Sequence, residues 1–236
     1  MRILSLVTQK GGSGKSTIAS SLAIAAHEAG ERVFIVDMDP QASLVRWYGA
    51  RADKNVAVEA VSAGKLPVAL KALEKAGVSL VIIDTPGTES KAAEAAMKAA
   101  DLCLIPSRPN VFDLWASENT RQSLRSMRKE YAFLLNQCPP AQQSARVEQG
   151  AAALQAMGGL MLPFISSLVD FQEASRKGLG VTELSNGGVA ASEMRQLWKN
   201  VKRRFAQGKT KSGTKNGKDA KGKPAAAPAK PVKKAA

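Results

Sequence analysis

Residues 10 to 17 read Lys10-Gly11-Gly12-Ser13-Gly14-Lys15-Ser16-Thr17, an order of residue types that can hold a polyphosphate. Glycines at 11, 12 and 14 let the backbone turn tightly, so that successive N–H groups face phosphate oxygens, and a helix N-terminus behind them adds partial positive charge. Lys15 is then placed to reach the β- and γ-phosphates, the Ser16 hydroxyl to ligate Mg²⁺, and Thr17 to contact the α-phosphate. The ordinary pattern G-x-x-x-x-G-K-[ST] also asks for glycine five residues before Gly14, where this chain has Gln9. The pattern that fits is K-G-G-x-G-K-[ST], with a second lysine, Lys10, at the mouth of the loop.

Such a loop works only between a strand and a helix. The apolar run Ile3-Leu4-Ser5-Leu6-Val7 precedes it, and alanine, leucine and isoleucine recur at helical spacing from Ile18 to Ala29, which is the required context. Further strand candidates lie at 2 to 8, 32 to 37, 79 to 84, 101 to 106, 131 to 135 and 160 to 164, mostly separated by helical patterns. That alternation predicts an α/β fold, a single doubly wound, mostly parallel sheet flanked by helices. Two of these strands end in acids: Asp37, followed by Asp39, and Asp84. Open α/β sheets bind ligands at the C-terminal ends of their strands, where a short carboxylate can meet a metal or a water.

With Lys10 in its place, the chain resembles the deviant Walker A ATPases, which include ParA-type partition proteins, MinD-type proteins, the nitrogenase iron protein and arsenite pump ATPases. Val33 to Gln41, containing Asp37-Met38-Asp39-Pro40-Gln41, looks like the family's second strand and switch I in the ParA branch. Leu80 to Gly87 looks like the Walker B strand running into switch II, and Pro106 to Asp113 is similar to a P-x-x-P-x-x-x-D segment of small ParA proteins. More weakly, Glu173 to Glu183 resembles their C-terminal region. Matching blocks span roughly residues 1 to 205.

The resemblance implies a P-loop domain over residues 1 to 206 that binds ATP and Mg²⁺ and forms a homodimer with ATP. Lys10 would act in trans on the partner subunit's nucleotide, much as an arginine finger does. Asp39 would orient or activate the attacking water, and Asp84 would hold Mg²⁺ through a water. Asp37 is open to a functional role at the strand end or to a structural one, capping a turn or contacting the loop lysine. Asn136, just after the strand Tyr131 to Leu135, is open to meeting the adenine, as similar asparagines do in relatives, or to a simple turn role.

The chain has 236 residues and is 44% hydrophobic, enough for one α/β domain with one substantial core. Its formal charge is +14. From Gln207 onward there are nine lysines and one aspartate. Residues 207 to 236 therefore form an expected disordered tail, rich in lysine, alanine and proline, which attracts nucleic acid through counterion release. In Ser192 to Phe205, read as a helix, Met194, Trp198, Val201 and Phe205 share one face, and Arg195, Lys199, Lys202 and Arg203 fall beside it. Such a helix can dock on the body and present cations to DNA phosphates without reading bases.

Cys103 and Cys138 lack metal spacing, and Cys103 sits in an apolar strand, where it packs as a small hydrophobe. His27 is the only histidine, which excludes multi-histidine metal sites. No run approaches the ~20 apolar residues of a membrane span, and the apolar N-terminus is too short for a secretory signal, so a cytoplasmic, nucleoid-associated protein is expected. The function expected is that of a slow ATPase that binds nonspecific DNA in its ATP state. A centromere-binding or cargo-adaptor protein would stimulate it, and the cargo would be a plasmid, a chromosome or a protein assembly. The rivals are a MinD-like membrane-cycling ATPase, which needs a terminal amphipathic helix, an iron-sulfur reductase using both cysteines, and a related amidotransferase or synthetase. An N-terminal helix-turn-helix domain is not expected, because residue 1 nearly begins the first strand.

Overall fold

The structure, a computed structural model, describes residues 1–139 and 144–213. Seven parallel strands form one sheet: β1 (Arg2–Leu6), β2 (Val33–Asp37), β3 (Ala57–Ala60), β4 (Leu80–Asp84), β5 (Leu102–Ser107), β6 (Tyr131–Leu135) and β7 (Leu160–Met161). Their spatial order is β3-β2-β4-β1-β5-β6-β7, so β1 sits centrally and the chain winds outward from it in both directions. The expected doubly wound α/β sheet is borne out.

Strand residues alternate between two cores, as the period of two requires. Leu4, Leu6, Ile35, Ile82, Leu104 and Leu134 face one helix layer. That layer holds α1 (Lys15–Glu28), α2 (Ser43–Ala50), α7 (Val169–Arg176), α8 (Val181–Leu184) and α9 (Val189–Gly213). Val36, Val81, Ile83, Cys103, Ile105 and Phe133 face the other, made of α3 (Leu66–Lys75), α4 (Lys91–Ala99), α5 (Val111–Ser126) and α6 (Ala145–Ala156). Burial on both faces explains why the central strands read as unbroken apolar runs. Pro106 is tolerated in β5 because β1 pairs with β5 only as far as Leu104, beyond which no ladder donor is needed on that side.

Three expectations are corrected. β3 was not foreseen: its four residues include exposed Glu59 and Ala60, too short and too polar to stand out as a strand. The last strand covers only Leu160–Met161 rather than 160 to 164, since Pro163 cannot donate to a ladder. The final helix begins at Val189 and runs to Gly213, longer at both ends than the expected Ser192 to Phe205. The rest of the expected tail, residues 214 to 236, lies outside the described residues.

One ionic cluster ties the switch I side of the sheet to the C-terminal layer. The fully buried Arg51 guanidinium donates to both Glu183 carboxylate oxygens at 2.8 and 2.7 Å, to Gly178 O at 3.0 Å and to Asn55 Oδ1 at 2.9 Å, and its carbon lies 5.1 Å from the Trp47 ring centre. Gly178 has φ 69°, and a Cβ there would lie 2.6 Å from the Arg51 nitrogen, so only glycine lets the two segments close. Removing one partner of a buried pair strands the other charge. Arg51→Ala is expected to lower unfolding free energy by about 3–5 kcal/mol, measured by urea denaturation, and a loss below ~1 kcal/mol would show that the cluster is not a tie.

Candidate nucleotide site

The loop after β1 takes the shape its glycines permit. Gly12 and Gly14 have φ 73° and 89°, left-handed values that side chains resist, and α1 starts immediately at Lys15. The neighbouring chain holds the loop in place. Asn136 Nδ2 donates to Ser13 O at 2.7 Å, and Gln137 Nε2 donates to Gly12 O at 3.1 Å. A Cβ on Gly14 would collide with the Asn136 amide, and one on Gly87 would lie 2.8 Å from Gly11 Cα. Switch II thus touches the phosphate loop backbone to backbone.

The carboxylates come from two adjacent strands in register: Asp37 pairs with Asp84 across β2 and β4, and Asp84 with Leu6 across β4 and β1. Asp84 is fully buried. Its Oδ2 accepts the Ser16 hydroxyl at 2.5 Å, while its Oδ1 is buried without a hydrogen-bond partner. Burial is the main cause that raises the Asp84 carboxyl to about 7; the Ser16 hydroxyl and Lys15 pull it down, and Asp37 and Asp39 push it up. Lys15 Nζ donates to Lys10 O at 3.3 Å. Its ammonium is lowered chiefly by burial, against the opposing pull of Asp84 and Asp39. A buried carboxylate oxygen lacking a donor, beside a hydroxyl already bonded to the other oxygen, fits a hard cation such as Mg²⁺, which takes oxygen ligands.

Asp37 resolves toward the capping role. Its carboxylate accepts from Asp39 N at 3.1 Å, Leu44 N at 3.0 Å and Val45 N at 3.3 Å, covering the orphan donors at the start of α2. Burial nevertheless raises its carboxyl above the usual range, against those three bonds. Asp39 is half-buried, and its Oδ1 accepts from Gln41 N at 2.9 Å. Lys10 does not fold into its own loop; its ammonium lies 5.9 Å from the ring centre of Phe112. Phe112 and Trp115 make an edge contact and are each 62% exposed at the start of α5.

Asn136 is buried and clamps the loop, a part beyond both roles left open for it. It also lines a cleft of about 300 Å³ with Gly14, Thr17, Gln137, Ser166 and Phe171. Gln137 and the segment around Ser166 escaped the sequence reading, because no motif marks them and they reach the loop only through the fold. The four expected DNA-contact residues lie along α9 and line two grooves. Arg195, Lys199 and Lys202 line a groove against α1, whereas Arg203 lines a separate groove beside Leu160 and Asn200. Both cysteines are buried, and burial raises each thiol to about 12, which suits packing rather than cluster ligation.

The sequence matches the model of the CobQ/CobB/MinD/ParA nucleotide binding domain over residues 4–181. The chain belongs to this ParA/MinD family of P-loop ATPases. Among curated relatives, it is 31% identical over 212 residues to the maintenance of carboxysome distribution protein A of Halothiobacillus neapolitanus, covering 84% of this chain and 95% of that protein. To the chromosome partitioning protein ParA of Caulobacter vibrioides it is 28% identical over 144 residues, 60% of this chain and 49% of that one. The folds of apo McdA from Cyanothece (TM-score 0.73, 18% identity, 86% of this chain and 98% of that one) and of the cell division ATPase MinD from Pyrococcus furiosus (TM-score 0.71, 20% identity, 86% and 99%) are the same. ParA/MinD-family membership bears out the expected P-loop fold and nucleotide binding.

The Asp84 shift sets opposite pH slopes for folding and for metal binding. Its folded-state value, about 7, lies above that of an unfolded aspartate, about 3.9. Between these values the folded chain keeps a proton that the unfolded chain has released. Stability of the nucleotide-free protein therefore falls as pH rises through this window and levels off above it. A cation needs the carboxylate, so Mg²⁺-nucleotide affinity is expected to rise about tenfold per pH unit below ~7 and flatten above. Denaturation and nucleotide titration between about pH 5 and pH 8 read both slopes, and Asp84→Asn should remove them; slopes that survive the substitution would refute the assignment.

Proposed function

We propose that the chain is an ATP-driven positioning ATPase: ATP and Mg²⁺ assemble a homodimer that binds DNA without sequence preference, and a partner protein that stimulates slow hydrolysis releases it. The observation that carries this reading is Lys10. It directly precedes the phosphate-loop glycines, yet its ammonium rests over the exposed Phe112 ring, outside its own loop. A cation held at the rim is placed to serve a second subunit's phosphates when two loops face one another.

In this reading the loop N–H groups and Lys15 hold the phosphates, and Ser16 and Asp84 hold Mg²⁺, which supplies charge neutralisation at the β- and γ-phosphate oxygens. Asp39, half-buried beside Lys15, orients the attacking water. The cleft beside Thr17 and Asn136 takes the base. Lys10 stabilises charge in trans, so that hydrolysis requires the dimer.

Two observations bear on the setting. The match to the carboxysome distribution protein covers 84% of this chain and that to the chromosome partitioning protein 60%, which favours a protein assembly over a DNA molecule as cargo. A MinD-like membrane cycle is the second reading. Against it, the apolar face of α9, with Met194, Leu197, Trp198, Val201 and Phe205, is buried in the core. Among the described residues no helix is long and apolar enough to cross a membrane.

ATP turnover, dimerisation by light scattering, and binding to a labelled duplex of arbitrary sequence test the proposal together. Wild type is expected to dimerise and bind DNA with ATP and not with ADP, with affinity falling by about 10³-fold or more between 50 and 200 mM salt if at least about six phosphates are contacted. Lys10→Ala should retain nucleotide binding while losing at least about tenfold in turnover and in ATP-dependent DNA affinity. Equal DNA binding in ATP, ADP and no nucleotide would overturn the switch, and sedimentation with anionic vesicles in place of DNA would select the membrane reading.

A further inference from the structure

The groove between α1 and α9 carries its own acids. Arg195 Nη2 lies 3.3 Å from Glu28 Oε2, and Arg195 also donates to Asn186 O at 2.6 Å and to the Asn186 side chain. Lys202 Nζ lies 2.9 Å from Glu31 Oε1. Burial pushes the Glu31 carboxyl up, but the Ser79 hydroxyl at 2.6 Å and Lys202 outweigh it and hold the group below the usual range. Lys199, between these two cations on the helix, is exposed and has no ion pair or hydrogen bond among the described residues.

Arg195, Lys199 and Lys202 stand at i, i+4 and i+7, a line about 10 Å long at 1.5 Å per residue. That length covers on the order of three phosphates of one DNA strand. Yet two of the three cations are neutralised, by Glu28 at the end of α1 and by Glu31 in the turn after it, beside a groove of about 360 Å³ that also shows them the Trp198 ring, 6.0 Å from Lys202. The cations of both pairs face solvent, 39% exposed for Arg195 and 58% for Lys202, and ion pairs open to solvent contribute little, about 0–1 kcal/mol each, so a polyanion can compete for these two cations.

We propose that Glu28 and Glu31 are built-in counterions of a phosphate track, displaced when a DNA backbone enters the α1–α9 groove. This rests on the DNA-binding reading above and adds what regulates it. α1 runs from Lys15, at the phosphates, to Glu28, about 20 Å along one rigid helix. The nucleotide site and one of the two counterions, Glu28, therefore stand at opposite ends of one helix.

The test is Glu31→Gln, which keeps an oxygen to accept the Ser79 hydroxyl while releasing Lys202. Binding to a labelled duplex of arbitrary sequence is measured with ATP across 50 to 200 mM salt. The variant is expected to bind about 3–10-fold tighter, with the logarithmic salt slope steeper by about 0.9, the increment for one added phosphate contact. Glu59→Gln, the same charge change at the exposed edge strand β3, should alter affinity less than about twofold, and Lys202→Ala should erase the gain from Glu31→Gln, the non-additivity of a direct pair. Equal gains from Glu31→Gln and Glu59→Gln, or a gain that survives Lys202→Ala, would overturn the counterion role. If the wild type binds DNA in no nucleotide state, the DNA-binding reading falls and the counterion proposal with it; if the wild type binds and Glu31→Gln does not differ, only the counterion role falls.

Discussion

Asp84 sits where β4 ends, between the hydroxyl of Ser16, the ammonium of Lys15 and a second carboxylate, Asp37, directly across the ladder. A buried charge with one unpartnered oxygen is costly unless something compensates it, and much of the neighbourhood is arranged around that demand. The central strands are apolar on both faces, which desolvates the strand ends. The Ser16–Asp84 bond joins the start of α1 to β4, and Thr85 Oγ1 donates to Leu6 O at 2.8 Å, tying the end of β4 to the end of β1. Asp37 satisfies its own charge with three backbone donors of the switch I turn, which leaves Asp84 as the carboxylate whose needs are not met by protein alone.

From that point the elements divide into those that hold the nucleotide loop and those that face outward. Asn136 and Gln137 fasten the loop from the β6 side, and Gly87 presses on it from switch II. Arg51 fixes the segment beyond α2 to α8. The outward features, Lys10 with Phe112 and Trp115 at one end of α1 and the paired cations of α9 at the other, make few contacts with the core. The interior specifies a nucleotide site, and the surface carries the groups through which that site would act on other molecules.

The phosphate loop was legible because all its residues are consecutive and their types admit few other uses. Strands at 33, 80, 102 and 131 were legible because two-sided burial writes them as apolar runs. The short edge strand Ala57–Ala60 was not, since half-exposed edges need no such run. Likewise the capping role of Asp37 depends on where α2 begins, and the clamping role of Asn136 depends on a loop far from it in the sequence. For α9 the apolar face was read correctly, because helical period alone defines it. That Arg195 and Lys202 are already paired was invisible, because their partners lie at the end of α1 and in the turn after it, and periodicity within one helix says nothing about what stands opposite.

The Asn136–Ser13 bond joins residues 123 positions apart, and the Ser16–Asp84 bond joins residues 68 apart. Contacts of such separation form only after the chain between them has closed. The motif with the strongest local signature is thus completed late: synthesis delivers the loop first, but its clamp arrives only when β5 and β6 have joined the sheet. For most of its time on the ribosome the chain carries a recognisable phosphate loop without a nucleotide site. Competence to bind is in this sense a report that the right half of the sheet has been assembled.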